Sequence, residues 1–217
     1  MVAYASVDQL KVRTGMTEAL SADKAEAYAE ILEAISRKID RFCSRPDGFV
    51  ALTEDATRYF DGGGRTYLRI PECVSITSVA VKAAYSDTTY VAWNTPSAVM
   101  TGDGDWYPAA GSYIRPILNR TPYTLLLIDP NGDYSVFLNG YRAPTVQIAA
   151  KWGYAVEVPA DIREACLAQG AILIKRFEGS MASTLANDDL GAIAYRIRQA
   201  ALTRDVRELL VDGHWVL

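Results

Sequence analysis

Three stretches hold residue types that can do chemistry, and each has a plainer reading. Asp61-Gly62-Gly63-Gly64-Arg65 has the glycine content of a phosphate-cradling loop. A P-loop needs GxxxxGK followed by Ser or Thr, opening a helix, so that backbone amides and a lysine converge on the phosphates. Here the glycines precede the alternating run Arg65 to Ile70, so a tight turn is predicted. Asp129, Asn131 and Asp133 have the opening spacing of a calcium loop, in which Gly and Glu are required at positions six and twelve. Tyr134 and Gly140 stand there instead, and Asn131-Gly132 predicts a hairpin turn joining strands 124–128 and 134–138. Asp103 and Asp105, in Thr101-Gly102-Asp103-Gly104-Asp105-Trp106, are candidates for a cation at a loop tip or for a hydrolytic carboxylate pair. A solvated turn is the simpler expectation.

The rest of the reactive inventory is thin. His214 is the sole histidine, which removes His-based triads and multi-His metal sites. Cys43, Cys73 and Cys166 show no CxxC spacing, and an odd count without a secretion signal fits buried thiols in a reducing compartment. Cys43 and Cys166 fall on apolar helix faces, as packing residues do. Arg196, Arg198, Arg204 and Arg207 make a basic cluster, but Asp188, Asp189, Asp205, Glu208 and Asp212 lie among or near them, so a salt-bridged helix face is predicted. Trp215, Val216 and Leu217 follow as a short apolar tail. No catalytic, cofactor or metal site emerges, and the chain is not expected to be an enzyme.

Composition sets the frame for these residues. The chain has 217 residues, 50% hydrophobic and 22% charged, with mean hydropathy +0.01, as in an ordinary soluble globular protein. No apolar run reaches the roughly 20 residues of a membrane span. The opening Met1 to Arg13 lacks the basic-then-apolar layout of a secretory signal. A net charge of −4 argues against a main task of gripping nucleic-acid phosphates.

Residues 46–158 hold eight of nine prolines, ten of fifteen glycines, ten of thirteen tyrosines and three of four tryptophans. Turn-formers mixed with aromatic and β-branched residues predict a compact antiparallel β unit, a sandwich or open barrel. Its aromatics are expected mainly in the core and interfaces. The flanks, 1–45 and 159–217, have helix composition, so the predicted class is α+β: a discontinuous helical bundle with an inserted β domain at 46–158. Ser6 with Gln9 forms a capping box, and Gly15 ends that first helix. Ser21 caps a longer helix whose apolar residues Tyr28, Ile31, Leu32, Ile35, Ile39 and Phe42 share one face. After Pro159, Ile162, Ala165, Cys166, Ile172, Leu173 and Phe177 line a helix expected to stop at Gly179. A last helix, built on Leu190, Ile193, Ile197 and Ala201, continues through Val206 and Leu210 after a kink near Thr203 and stops at Gly213. In the middle block, strands are predicted at 65–70, 76–83, 90–93, 124–128, 134–138 and 145–152.

Four segments in this helix–β–helix order resemble those of phage head–tail connector proteins. Ile39-Asp40-Arg41-Phe42-Cys43-Ser44-Arg45-Pro46 is similar to their IxxYCxRP helix end. Thr57 to Gly64 resembles the segment around their YDG, and Leu68-Arg69-Ile70-Pro71 with Val74 to Val79 the following L.LP..PV.SV. Val146 to Tyr154 and Val158 to Ala165 resemble the V.V.ytaGY..vP.dl..A stretch that leads into the next helix. The resemblance spans about residues 20–178.

It implies a structural head-completion or adaptor protein of a tailed phage, prophage or gene-transfer particle. Such proteins form a typically dodecameric ring beneath the portal, extending the DNA channel and presenting a surface to a tail or stopper protein. The implied location is the virion's head–tail interface, after synthesis in the host cytoplasm. Genomic DNA passes through without sequence-specific binding; no catalytic site, cofactor or membrane is involved. On this reading Trp215, Val216 and Leu217 dock on the portal, and Arg196, Arg198, Arg204 and Arg207 make subunit or portal contacts. The alternative is a carbohydrate-binding or adhesive β module with helical supports, which requires exposed aromatics near Trp93, Trp106 and Tyr107.

Overall fold

The computed structural model describes residues 3–97, 103–183, 201–213 and 215. The fold is α+β and divides into two units, residues 1–48 with 158–217, and residues 49–157.

The first unit is helical. In α1 (Val7–Thr14) both arms of the capping box form: Ser6 Oγ accepts from the Gln9 amide at 3.2 Å, and the Ser6 amide donates to Gln9 Oε1 at 2.9 Å. Gly15 ends the helix with φ of 72°, a left-handed geometry that a side chain resists. Ser21 Oγ accepts from the Lys24 amide to start α2 (Ala22–Phe42). The predicted stripe buries Tyr28, Ile31, Leu32, Ile35 and Ile39, each aliphatic contributing about 1.5–3 kcal/mol over leaving it exposed. Phe42 is only half-buried, and Cys43 takes the core position beside it.

Helix α3 (Ala160–Ser183) buries Ile162, Ala165, Cys166 and Leu173 as predicted, and adds Ile174, while Ile172 stays half-buried. The expected stop at Gly179 does not occur. One glycine costs a helix roughly 1 kcal/mol, which does not end it where neighbouring turns hold. At Gly170 a Cβ would come within 3.1 Å of Leu32 and 3.3 Å of Leu10, so this glycine lets α3 approach α1 and α2 closely. Residues 201–203 are non-helical, and α4 (Arg204–Asp212) starts afresh rather than continuing through a kink. Thr203 gives both its amide (2.9 Å) and its hydroxyl (3.1 Å) to the buried Gln169 Oε1 on α3, which fixes where α4 begins. Val206 and Leu210 are its buried residues, and Gly213 follows its end.

The second unit is one antiparallel sheet. Its strands are β1 (Ala56–Phe60), β2 (Tyr67–Val81), β3 (Val91–Ala92), β4 (Trp106–Ser112), β5 (Arg115–Ile117), β6 (Tyr123–Ile128) and β7 (Val146–Trp152). The order is β1-β7-β2-β6-β4-β5, with β3 also on β2, and the sheet is not closed. Strands predicted separately at 65–70 and 76–83 are parts of one 15-residue strand. Pro71 has no amide to donate, and it sits where the pairing with β6 shifts register between Arg69 and Cys73. Cys73 pairs with Tyr123 of β6 on one side and Trp152 of β7 on the other, and from there to Val81 β2 runs along β7 through further register shifts.

Strand β6 is buried on both faces, which is why Leu125 to Ile128 reads as a continuous apolar run. Leu126 and Ile128 join Trp93, Trp106, Phe137 and Trp152 in the main core, whereas Leu125 and Leu127 pack with Ala109 beneath Tyr67, Tyr107 and Leu118. The strand predicted at 134–138 does not form. The Phe137 amide donates to Arg65 O at 2.8 Å and its ring is fully buried, so the segment serves as a core plug. The turn at 129–132 exists without a hairpin.

Candidate functional site

The glycine loop after β1 resembles an anion site, and the protein fills it with its own carboxylate. Asp61 Oδ1 accepts from the amides of Gly63 (3.0 Å) and Gly140 (2.7 Å), and Oδ2 from that of Arg142 (2.7 Å). These amides, foremost that of Gly140, hold the Asp61 carboxyl below the usual carboxylate range. Tyr141 and Arg142 both have positive φ, and the Tyr141 amide donates to Asn139 Oδ1 at 2.9 Å while the amides at 140 and 142 donate to Asp61. A Cβ on Gly62 would lie 2.5 Å from Leu138 O, so the two loops touch backbone to backbone. The loop therefore ties two distant stretches of the β unit together, with the Gly63 amide already taken by Asp61.

Asp105 plays a similar part just before β4. Its Oδ2 accepts from the Asn94 amide at 2.7 Å and its Oδ1 from the Asp133 amide at 3.0 Å, while its carbonyl takes the Asp129 amide. Asp129 Oδ1 accepts from the Asn131 amide at 2.9 Å, an Asx turn. Asp103 accepts from the Ser97 amide. Asp105 is thus a buried knot and not the solvated turn expected, and both its oxygens are engaged as acceptors. Among the described residues no three His, Cys, Asp or Glu side chains converge on a metal position.

In the helical unit the C-terminal half of α2 holds a polar cluster that sequence reasoning missed. Asp40, buried on α2, accepts a hydrogen bond from the Tyr4 hydroxyl and pairs with Arg37 at 2.9 Å. The Tyr4 amide donates to Ser36 Oγ at 3.0 Å, and Ser36 in turn donates to Leu32 O. Burial raises the Asp40 carboxyl, with Tyr4, Arg37 and Arg41 opposing it. The readable signal was Ser36 and Asp40 recurring every four residues with Leu32 on a buried stripe. Burial also pushes the thiols of Cys43 and Cys166 up to about 11 and that of Cys73 up to about 12, so none is a poised nucleophile.

The remaining candidates lie elsewhere. Trp93 and Trp106 are 5% and 2% exposed, and Tyr107 is half-buried, so the aromatic platform of a sugar-binding module is not formed there. Trp93 instead stacks between Tyr134 and Phe137, beside a small apolar groove of about 230 Å³. Arg204 pairs with Glu208 at 2.6 Å along α4, and Arg207 is exposed. Trp215 is half-buried: its amide donates to Leu210 O at 3.1 Å, and its ring lies where a Cβ on Gly213 would be 2.5 Å away. Arg196, Arg198, His214, Val216 and Leu217 lie outside the described residues.

Buried thiols, occupied carboxylates and interior tryptophans leave surfaces as the features to compare with known proteins. Solved structures similar to this chain include two from gene transfer agent particles. One is a chain of the neck of an empty gene transfer agent (GTA) particle computed with C6 symmetry, 13% identical, covering 91% of each chain with a TM-score of 0.43. The other is a chain of the virion of a native GTA particle, 15% identical, covering 91% of each chain with a TM-score of 0.40. No protein-family model matches the sequence, and no curated protein does. Among the described residues no helix is long and apolar enough to cross a membrane.

Proposed function

We propose that this chain is a structural protein of the head–tail connector of a phage-like particle. In this reading it is an adaptor that forms a ring, typically of twelve copies, under the portal. The ring extends the DNA channel and offers the docking surface for a tail or stopper protein. It performs no catalysis and holds no cofactor, and the DNA moves through without sequence-specific contacts.

The observation that carries the reading is the order of the four connector-like segments together with the part each takes in the framework. The first closes α2 and holds Asp40. The second and third form β1, the Asp61 loop and the register shift of β2 around Pro71. The fourth is β7 with the start of α3, and includes Gly153 at φ 136°, where a Cβ would lie 2.4 Å from Ala51 Cα. Motifs that build a scaffold support a shared architecture better than scattered surface matches do.

Within that assembly, Trp215, Val216 and Leu217 dock on the portal, and Arg196, Arg198, Arg204 and Arg207 supply charge pairs to the portal or the adjacent subunit. Cells lacking the chain should yield heads without joined tails; fully tailed particles from such cells would contradict the reading. Deleting residues 213–217 should abolish binding to purified portal with the helical signal unchanged. Reversing Arg198 and Arg204 together should weaken ring assembly. Normal binding or normal assembly would remove the respective assignment.

A further inference from the structure

The β4–β5 hairpin presents a surface whose chemistry none of the loops above explains. From Trp106 to Ile128 the chain carries Arg115 and Arg120 and no carboxylate, although the net charge of the whole is −4. Residues 62–71 add Arg65 and Arg69, again without an acid. The two stretches meet: Tyr67 and Tyr113 stack at 4.4 Å with 4° between their planes, and Arg65 donates to the Tyr67 hydroxyl at 3.0 Å. All four arginines are exposed, and among the described residues none has a carboxylate partner. Every residue from Gly111 to Ile117 is exposed as well, with Ile114 at 72%.

The complementary surface lies on α2. Asp23, Glu26, Glu30 and Glu33, spaced by three, four and three, form one exposed stripe away from the buried face, against a single lysine, Lys24, between Ala22 and Ser36. Arginine forks suit carboxylates, and Tyr and Arg beside exposed isoleucines are the make-up of a protein contact. Phosphate binding alone calls for no apolar tip. The hairpin and the stripe are different patches, so their contact between copies is head-to-tail, the type that closes into a ring when the rotation allows.

We propose that the β4–β5 hairpin, together with Arg65, Arg69 and Arg120 on the adjoining stretches, seats on the acidic stripe of α2 in a neighbouring copy of this chain. The proposal rests on the ring reading above and deepens it by naming the subunit contact. The test is electron microscopy of the purified full chain incubated with portal, with three variants alongside the parent. Arg115→Glu with Arg120→Glu should lower the number of ring-capped portals at least about tenfold, because like charges then face each other. Adding Glu26→Arg and Glu33→Arg to that same chain should restore the rings, which a misfolded variant would not do. Glu26→Arg with Glu33→Arg alone should lose them again.

Rings from the parent that survive the hairpin reversal would overturn the contact and leave the ring reading standing. Loss without rescue, in a variant that keeps its parent's melting temperature, would also overturn the pairing with α2. If the reversal spares the rings and instead weakens retention on double-stranded DNA, the surface is a phosphate contact and the proposal fails. Absence of rings from the parent itself would overturn the ring reading, and this contact with it.

Discussion

Asp40 in the helical unit and Asp61 in the β unit each tie together stretches far apart in the chain, and they do so with opposite electrostatics. Asp40 is held by side chains, the Tyr4 hydroxyl and the Arg37 guanidinium, in a buried setting that disfavours its charge. Asp61 is held by backbone amides from its own loop and from residues 79 and 81 positions away, at a half-exposed site that favours its charge. A buried ionic group stabilises only while all its partners are present. An amide-filled carboxylate behaves like a local ligand and is lost by protonation. The two units should therefore fail in different ways: helical circular dichroism reports on one, and with Trp215→Phe as the common background, Trp93, Trp106 and Trp152 report on the other.

The largest effect is expected from Asp40→Ala, which removes the acceptor of the Tyr4 hydroxyl and the buried ion-pair partner of Arg37. It should lower the stability of the helical unit by about 3–4 kcal/mol, read by urea denaturation at 222 nm. Asp61→Ala removes an acceptor for three amides and should cost the β unit about 2 kcal/mol, read by tryptophan fluorescence. Equal losses in both signals from either variant would show that the units do not respond separately. Ser6→Ala, which removes a cap with no long-range partner, should cost about 1 kcal/mol in the helical signal alone.

The smallest effects come from pH, and the signs differ. The Asp40 carboxyl is raised, so its ionisation disfavours the fold: the helical unit should gain stability as pH falls through the range just above 3.8. The Asp61 carboxyl is lowered, so its contribution is present above 3.8 and is lost as pH falls below it through the folded value. Urea midpoints recorded for the two signals between about pH 5 and pH 3 should therefore diverge. A parallel decline would contradict the contrast between the two carboxylates.

Much of the helical framework was legible because its signals are local. Ser6, Gln9, Gly15 and Ser21 act within one turn of where they stand, and the α2 stripe follows from residue spacing. What was illegible depended on partners distant in sequence. Pro71 reads as a strand end, yet β2 crosses it because the register shift there needs no amide from that residue. Tyr134 to Leu138 has strand composition, but Arg65 and the core claim Phe137. Gly179 looks like a stop, and α3 passes through it. Asp61 and Asp105 looked like loop residues, and only the fold reveals which amides they hold. The candidate surfaces followed the same rule: arginines on two stretches become one patch once Tyr67 stacks on Tyr113.

The proposed role requires this chain to form a ring at a portal. Electron microscopy of the purified chain mixed with portal tests it most directly. The account predicts a closed ring of this chain capping the portal on its axis, with an open channel through both. Portals left bare, with the chain remaining a lone monomer at saturating concentration, would contradict it.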